Sequence, residues 1–78
     1  MDNNVENIKL TIEERLKELA NIQPKNDALK YLAKCEEAYK AYYMVKGVEI
    51  RHPHMSDEIN SAFNDALKQI EKILEEDF

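Results

Sequence analysis

Three residues in this sequence oppose a helix by their own chemistry, Pro24, Gly47 and Pro53, and each stands where the apolar pattern also breaks. Proline has no amide hydrogen and pushes the residue before it out of α geometry. Glycine readily takes the left-handed turn that follows many helices. A 78-residue chain with one glycine and two prolines lacks the many turns an all-β fold needs. Pro24 and the closely spaced pair Gly47 and Pro53 divide the chain into three stretches long enough for helices, so the sequence predicts an all-α chain of three helices and two links.

Periodicity fills the three intervals. From about Asn4 to Ile22, Val5, Ile8, Ile12, Leu16, Leu19 and Ile22 recur at steps of three and four, which lines them along one helical stripe. Thr11-Ile12-Glu13-Glu14 offers a second start by matching a capping box. Residues 1–10 would then form a separate arm. The stripe crosses Thr11 without a change of phase, so one continuous helix is favoured. Asn26 or Asp27 is placed to cap the second helix, which is expected from about Ala28 to Lys46 with Gly47 as its terminator. This helix carries one stripe through Ala28, Leu32, Cys35, Tyr39 and Tyr42, widened by Leu29 and Tyr43, and another through Tyr31, Ala38 and Val45. Apolar residues on more than one side suit a helix held between two partners, so the second helix is expected at the centre, with Leu32 in the core. The third helix, about 57–76, is expected to be capped by Ser56 and carries Ile59, Phe63, Ala66, Ile70 and Ile73, with Leu67 and Leu74 beside them. Its acidic end, Glu75-Glu76-Asp77, opposes the helix dipole, so the last turn is expected to fray.

The expected architecture is one domain over residues 1–78: a three-helix antiparallel hairpin or bundle. A domain of this size buries only about 60–65% of its unfolded surface, and small scaffolds commonly need a staple or a second copy. The surplus apolar face of Tyr31, Ala38, Val45, Leu67 and Leu74 is therefore expected to be an interface, completed by homo-oligomerisation as a homodimer.

Charge and special residues narrow the function. The net charge of −5 is unevenly spread: residues 21–47 carry five bases and three acids, whereas residues 48–78 carry eight acids and three bases. Long nucleic acid is not expected as a partner of so acidic a chain. The single cysteine, Cys35, excludes an internal disulfide and reads as a small core residue. No apolar run reaches membrane-spanning length, and a cytoplasmic location is expected. Lysine outnumbers arginine nine to two, a usage that accompanies AT-rich coding DNA, as in low-GC bacteria and their phages.

Three constellations could carry chemistry. Arg51-His52-Pro53-His54 with Asp57 and Glu58 resembles a metal or anion site at a helix N-terminus, but nothing supplies the remaining ligands at a known spacing, and a polar interhelix loop is expected. The acids Glu13, Glu14, Glu18, Glu36 and Glu37 lie off the apolar stripes, so a solvated face is expected in place of a carboxylate cage. Lys30, Tyr31 and Lys34, with Arg51, His52 and His54 further along, could hold a phosphorylated small ligand such as a nucleotide by stacking and charge. No nucleophile–base pair or phosphate loop is present. The expected function is a non-enzymatic interaction protein, a regulator or inhibitor that binds a protein partner without metal or cofactor. The alternative is capture of a phosphorylated small ligand.

Overall fold

The computed structural model describes residues 3–76 and 78, with the side chains of Asn3 and Asn4 outside the description. The chain is all-α: α1 spans Asn3–Asn21, α2 Ala28–Arg51 and α3 Ser56–Glu75. No described helix is long and apolar enough to cross a membrane.

α1 runs through Thr11 without interruption, so from residue 3 onward there is no separate arm; Met1 and Asp2 lie outside the described residues. The Thr11 hydroxyl donates to the Asn7 carbonyl at 2.9 Å, one turn back, which is how a threonine behaves inside a helix and not at a cap. Ile22 falls just past the end of α1 and is 40% exposed.

α2 starts as the sequence predicts. The Asp27 carboxylate accepts from the Lys30 amide at 3.0 Å and caps the first turn. Its end differs. Gly47 does not terminate the helix: no residue among those described has a positive φ, and α2 continues to Arg51. Glu49 is held across the chain by Lys9 at 3.0 Å, and Val48 packs on the edge of the core. These contacts outweigh the roughly 1 kcal/mol that a glycine costs a helix interior. Pro53 supplies the stop, since His52 before it leaves α geometry at φ −136° and ψ 62°. The second link is accordingly short. Met55, not Ser56, is the residue at the N-terminal boundary of α3; Ser56 is already helical and no side chain caps this end.

The core redistributes the roles expected of the helices. α3 is the central one: it packs against both α1 and α2, which meet each other far less. Its buried residues are Ile59, Phe63, Ala66, Ile70 and Ile73. Against them α1 sets Ile12, Leu16 and Leu19, and α2 sets Tyr31, Cys35, Ala38 and Tyr42. Leu32, expected in the core, is 59% exposed, and Leu29 and Tyr43 also face outward. The buried line of α2 takes Tyr31 and Ala38 from one apolar stripe and Cys35 and Tyr42 from the other. Two large rings bury more apolar area than two leucines while their hydroxyls still reach acceptors.

The chain after α3 folds back. Glu76 is extended, Asp77 lies outside the described residues, and the buried Phe78 ring meets Tyr31 edge-on at 5.2 Å. The amides of Asn26 and Asp27, ahead of α2, both donate to the main-chain oxygen of Phe78. Two amides of the first link are satisfied in this way.

Two stability measurements check this packing. Phe63→Ala should cost about 3–5 kcal/mol, whereas Leu32→Ala should shift the melting temperature by no more than a surface substitution does; the reverse order would contradict the assignment of faces. Gly47→Ala should stabilise by about 0.5–1 kcal/mol, because its backbone is helical and a methyl there meets only the flexible Arg51 guanidinium at 3.4 Å. A lower melting temperature would show that the glycine is required.

Candidate interaction surface

α1 and α2 are joined by polar reach more than by close packing. The pairs run in opposite order along the two helices. Lys9 bonds Glu49 at 3.0 Å, Tyr42 donates to the Glu13 carboxylate at 2.7 Å, Tyr39 donates to the Leu16 carbonyl at 3.4 Å, and Tyr31 donates to the Leu19 carbonyl. Burial works to lower the pKa of Lys9, but its hydrogen bonds to Glu6 and Glu49 outweigh that and raise it. Burial first, and then its contact with Cys35, pushes the Tyr31 phenol up to about 12. Tyr42 is also raised, by burial and by the Glu13 carboxylate beside it.

Because α1 and α2 touch so little, a groove remains between them, bordered by Leu19, Ala20, Leu32, Cys35 and Tyr39. A second apolar groove opens on the other flank of α2, between Met44, Val45 and Val48 of that helix and Ile59 and Ala62 of α3. Between the grooves lies the outward side of α2. There Leu29, Leu32, Tyr43, Met44 and Ile50 are 81%, 59%, 57%, 71% and 78% exposed. At about 100° of rotation per residue these five fall within about one third of the helix circumference. Elsewhere only Leu10 and Ile22 are large, apolar and comparably exposed among the described residues.

The residues expected to bind a phosphorylated ligand are not gathered. Tyr31 is buried against Leu19 and Phe78, so its face is not free to stack. Lys34 bonds Glu76 at 2.8 Å, and this hydrogen bond holds the Glu76 carboxyl below its usual range. Lys30 is exposed at the start of α2 and Arg51 at its end, a separation of ~30 Å along a continuous helix. His52 and His54 are exposed in the second link with their rings edge-on at 5.9 Å. No group of three or more His, Cys, Asp or Glu side chains able to hold a metal is found among the described residues.

The residues expected at an interface divide. Tyr31 and Ala38 are inside the core and cannot meet a second chain, because α3 and the returning Phe78 already cover them. Val45, Leu67 and Leu74 are half-buried at its edge. The sequence pattern places Leu32 in the core and Tyr43 beside its stripe, and it assigns Met44 and Ile50 to no surface. Their common face becomes visible only when α2 is carried through Gly47, which puts Leu32, Tyr39, Tyr43 and Ile50 on one row.

No family model matches the sequence, and neither a curated protein nor a solved structure is significantly similar to it.

The buried phenols imply a defined alkaline response. A phenol whose folded pKa lies above its unfolded value of 10.0 contributes stability that is complete below about pH 10 and lost as pH rises through about 12. In a pH titration followed by circular dichroism and tyrosinate absorbance, ionisation of Tyr31 should accompany loss of the helical signal in that window, and Tyr42, raised further, should not ionise before the helices are lost. Ionisation of all four tyrosines with the helices intact would contradict their burial.

Proposed function

We propose that this chain is a non-enzymatic interaction module, a regulator or inhibitor that docks a protein partner on the outward face of α2. The observation that carries the reading is the concentration of large apolar side chains on that one helix. Isolated exposed leucines are ordinary, but several large apolar side chains gathered on one side of one helix are a mark of a docking surface. Leu32, Tyr43, Met44 and Ile50 span most of α2, with the exposed Glu36–Lys40 pair among them and Lys46 at the edge. An amphipathic helix with aromatic and aliphatic anchors at helical spacing is a common way for one protein to seat on another.

The engagement of the polar groups supports a binding role over a catalytic one. Glu13 accepts from Tyr42, Glu49 and Glu76 hold lysines, and Cys35 is buried. The grooves beside α2 are lined by apolar side chains, which suits a helix or an aliphatic anchor more than a charged substrate.

The test compares the immobilised wild-type chain with a Leu32→Asp/Ile50→Asp variant in extract of the source cell. Both substitutions are at exposed positions, so the variant should melt with the wild type. The wild type is expected to retain a protein, this chain itself or another, in stoichiometric amount, and the variant to lose it. Equal retention by the two chains, or none by either, would overturn the role of this face.

A further inference from the structure

The outward side of α2, with the half-buried Tyr39 at its edge, has a second property, an order of apolar positions that is the same in both directions. Leu32, Glu36, Tyr39, Tyr43, Lys46 and Ile50 follow one another at steps of four, three, four, three and four, the spacing of a coiled-coil seam. By chemical class the row is aliphatic, acid, aromatic, aromatic, base, aliphatic. Reversed, it keeps the same apolar positions and exchanges acid for base.

We propose that the occupant of this face is a second copy of the chain, with the two α2 helices packed antiparallel about a two-fold axis. The proposal rests on the reading that α2 docks a protein. In this arrangement Leu32 faces Ile50 of the second copy, Tyr39 faces Tyr43 of the second copy, and Glu36 faces Lys46 of the second copy, each twice by symmetry. The charges select the direction. A parallel pair would set Glu36 against Glu36 and Lys46 against Lys46, and like charges across an interface suppress that pairing. The antiparallel pair turns both into ion pairs.

Both charged groups are only loosely engaged within the chain. Glu36 is 72% exposed and, among the described residues, pairs with Lys40 at 3.6 Å, itself equally exposed. Lys46 reaches Glu13 only at 4.0 Å, and its ammonium lies over the rings of Tyr42 and Tyr43 at 5.3 and 5.4 Å, which holds it at the edge of the seam. The row is ~27 Å long at 1.5 Å per residue, so the interface falls at the small end of specific ones, where weak and transient contacts are found.

Sedimentation equilibrium with charge exchange tests the pairing. The wild type should move from 9.2 kDa towards twice that mass as its concentration rises through the micromolar range. Glu36→Lys and Lys46→Glu, each alone, should weaken the dimer by about tenfold or more, since each sets like charges opposite one another. An equimolar mixture of the two variants should regain wild-type affinity, because every facing pair is then a lysine with a glutamate. Misfolding of either variant cannot produce that recovery. A wild type that stays monomeric at hundreds of micromolar overturns the homodimer and leaves docking of a different protein in place. A dimer unmoved by both charge variants, or a mixture that does not recover, overturns the antiparallel register. A dimer unaffected by Leu32→Asp/Ile50→Asp overturns the register and the docking face together.

Discussion

The fold depends on one stripe of side chains, Ile59, Phe63, Ala66, Ile70 and Ile73 of α3. α1 and α2 make little contact with each other, so each is held chiefly by burying its own apolar line against α3. A helix with one clean apolar face and polar residues on the others can serve two neighbours when that face is wide enough, and Leu67 and Leu74 widen it along one flank of the buried row. Phe63 lies at the middle of the stripe, fully buried, with its ring 5.8 Å from that of Tyr42. Much of the hydrophobic stabilisation of this small domain passes through that neighbourhood.

What α1 and α2 lack in packing is made up by polar groups at the rim. Tyr31, Tyr39 and Tyr42 each send a hydroxyl across to α1, and Lys9 bridges to Glu49. Phe78 does the same at the other end, where its main-chain oxygen takes two amides ahead of α2 and its ring covers Tyr31. These contacts fix the rotation of α2 about its axis. With Tyr31, Cys35, Ala38 and Tyr42 turned inward, Leu32, Tyr43 and Ile50 are left exposed. The exposed face follows directly from the way the core is satisfied.

The sequence made α3 and α1 legible because each has a single stripe with an unbroken phase. α2 was ambiguous because its two apolar stripes lie side by side. The choice between them depends on acceptors that α2 does not contain, the Leu19 carbonyl and the Glu13 carboxylate. Gly47 misled for a related reason: its local preference to end a helix is small, and the Lys9–Glu49 pair that overrides it joins residues forty apart. The central position of α3 was likewise out of reach, since which helix sits between the other two is decided by relative burial and not by any one pattern. On the surface, Lys30 and Lys34 could meet Arg51 only if α2 ended at Lys46 and the chain turned back. A helix continuing to Arg51 carries them apart and at the same time aligns Leu32, Tyr39, Tyr43 and Ile50.

The apolar face of α3 is buried, whereas α2 buries one side and leaves its large outward side chains exposed. Side-chain footprinting with hydroxyl radicals in dilute solution reads that difference most directly. Tyr43 and Met44 should be oxidised rapidly, while Tyr31, Tyr42 and Phe63 stay protected. Labelling of Tyr42 at the rate of Tyr43, or protection of Met44 in the isolated monomer, would mean that α2 is rotated from the orientation described and that the face proposed for binding is part of the core.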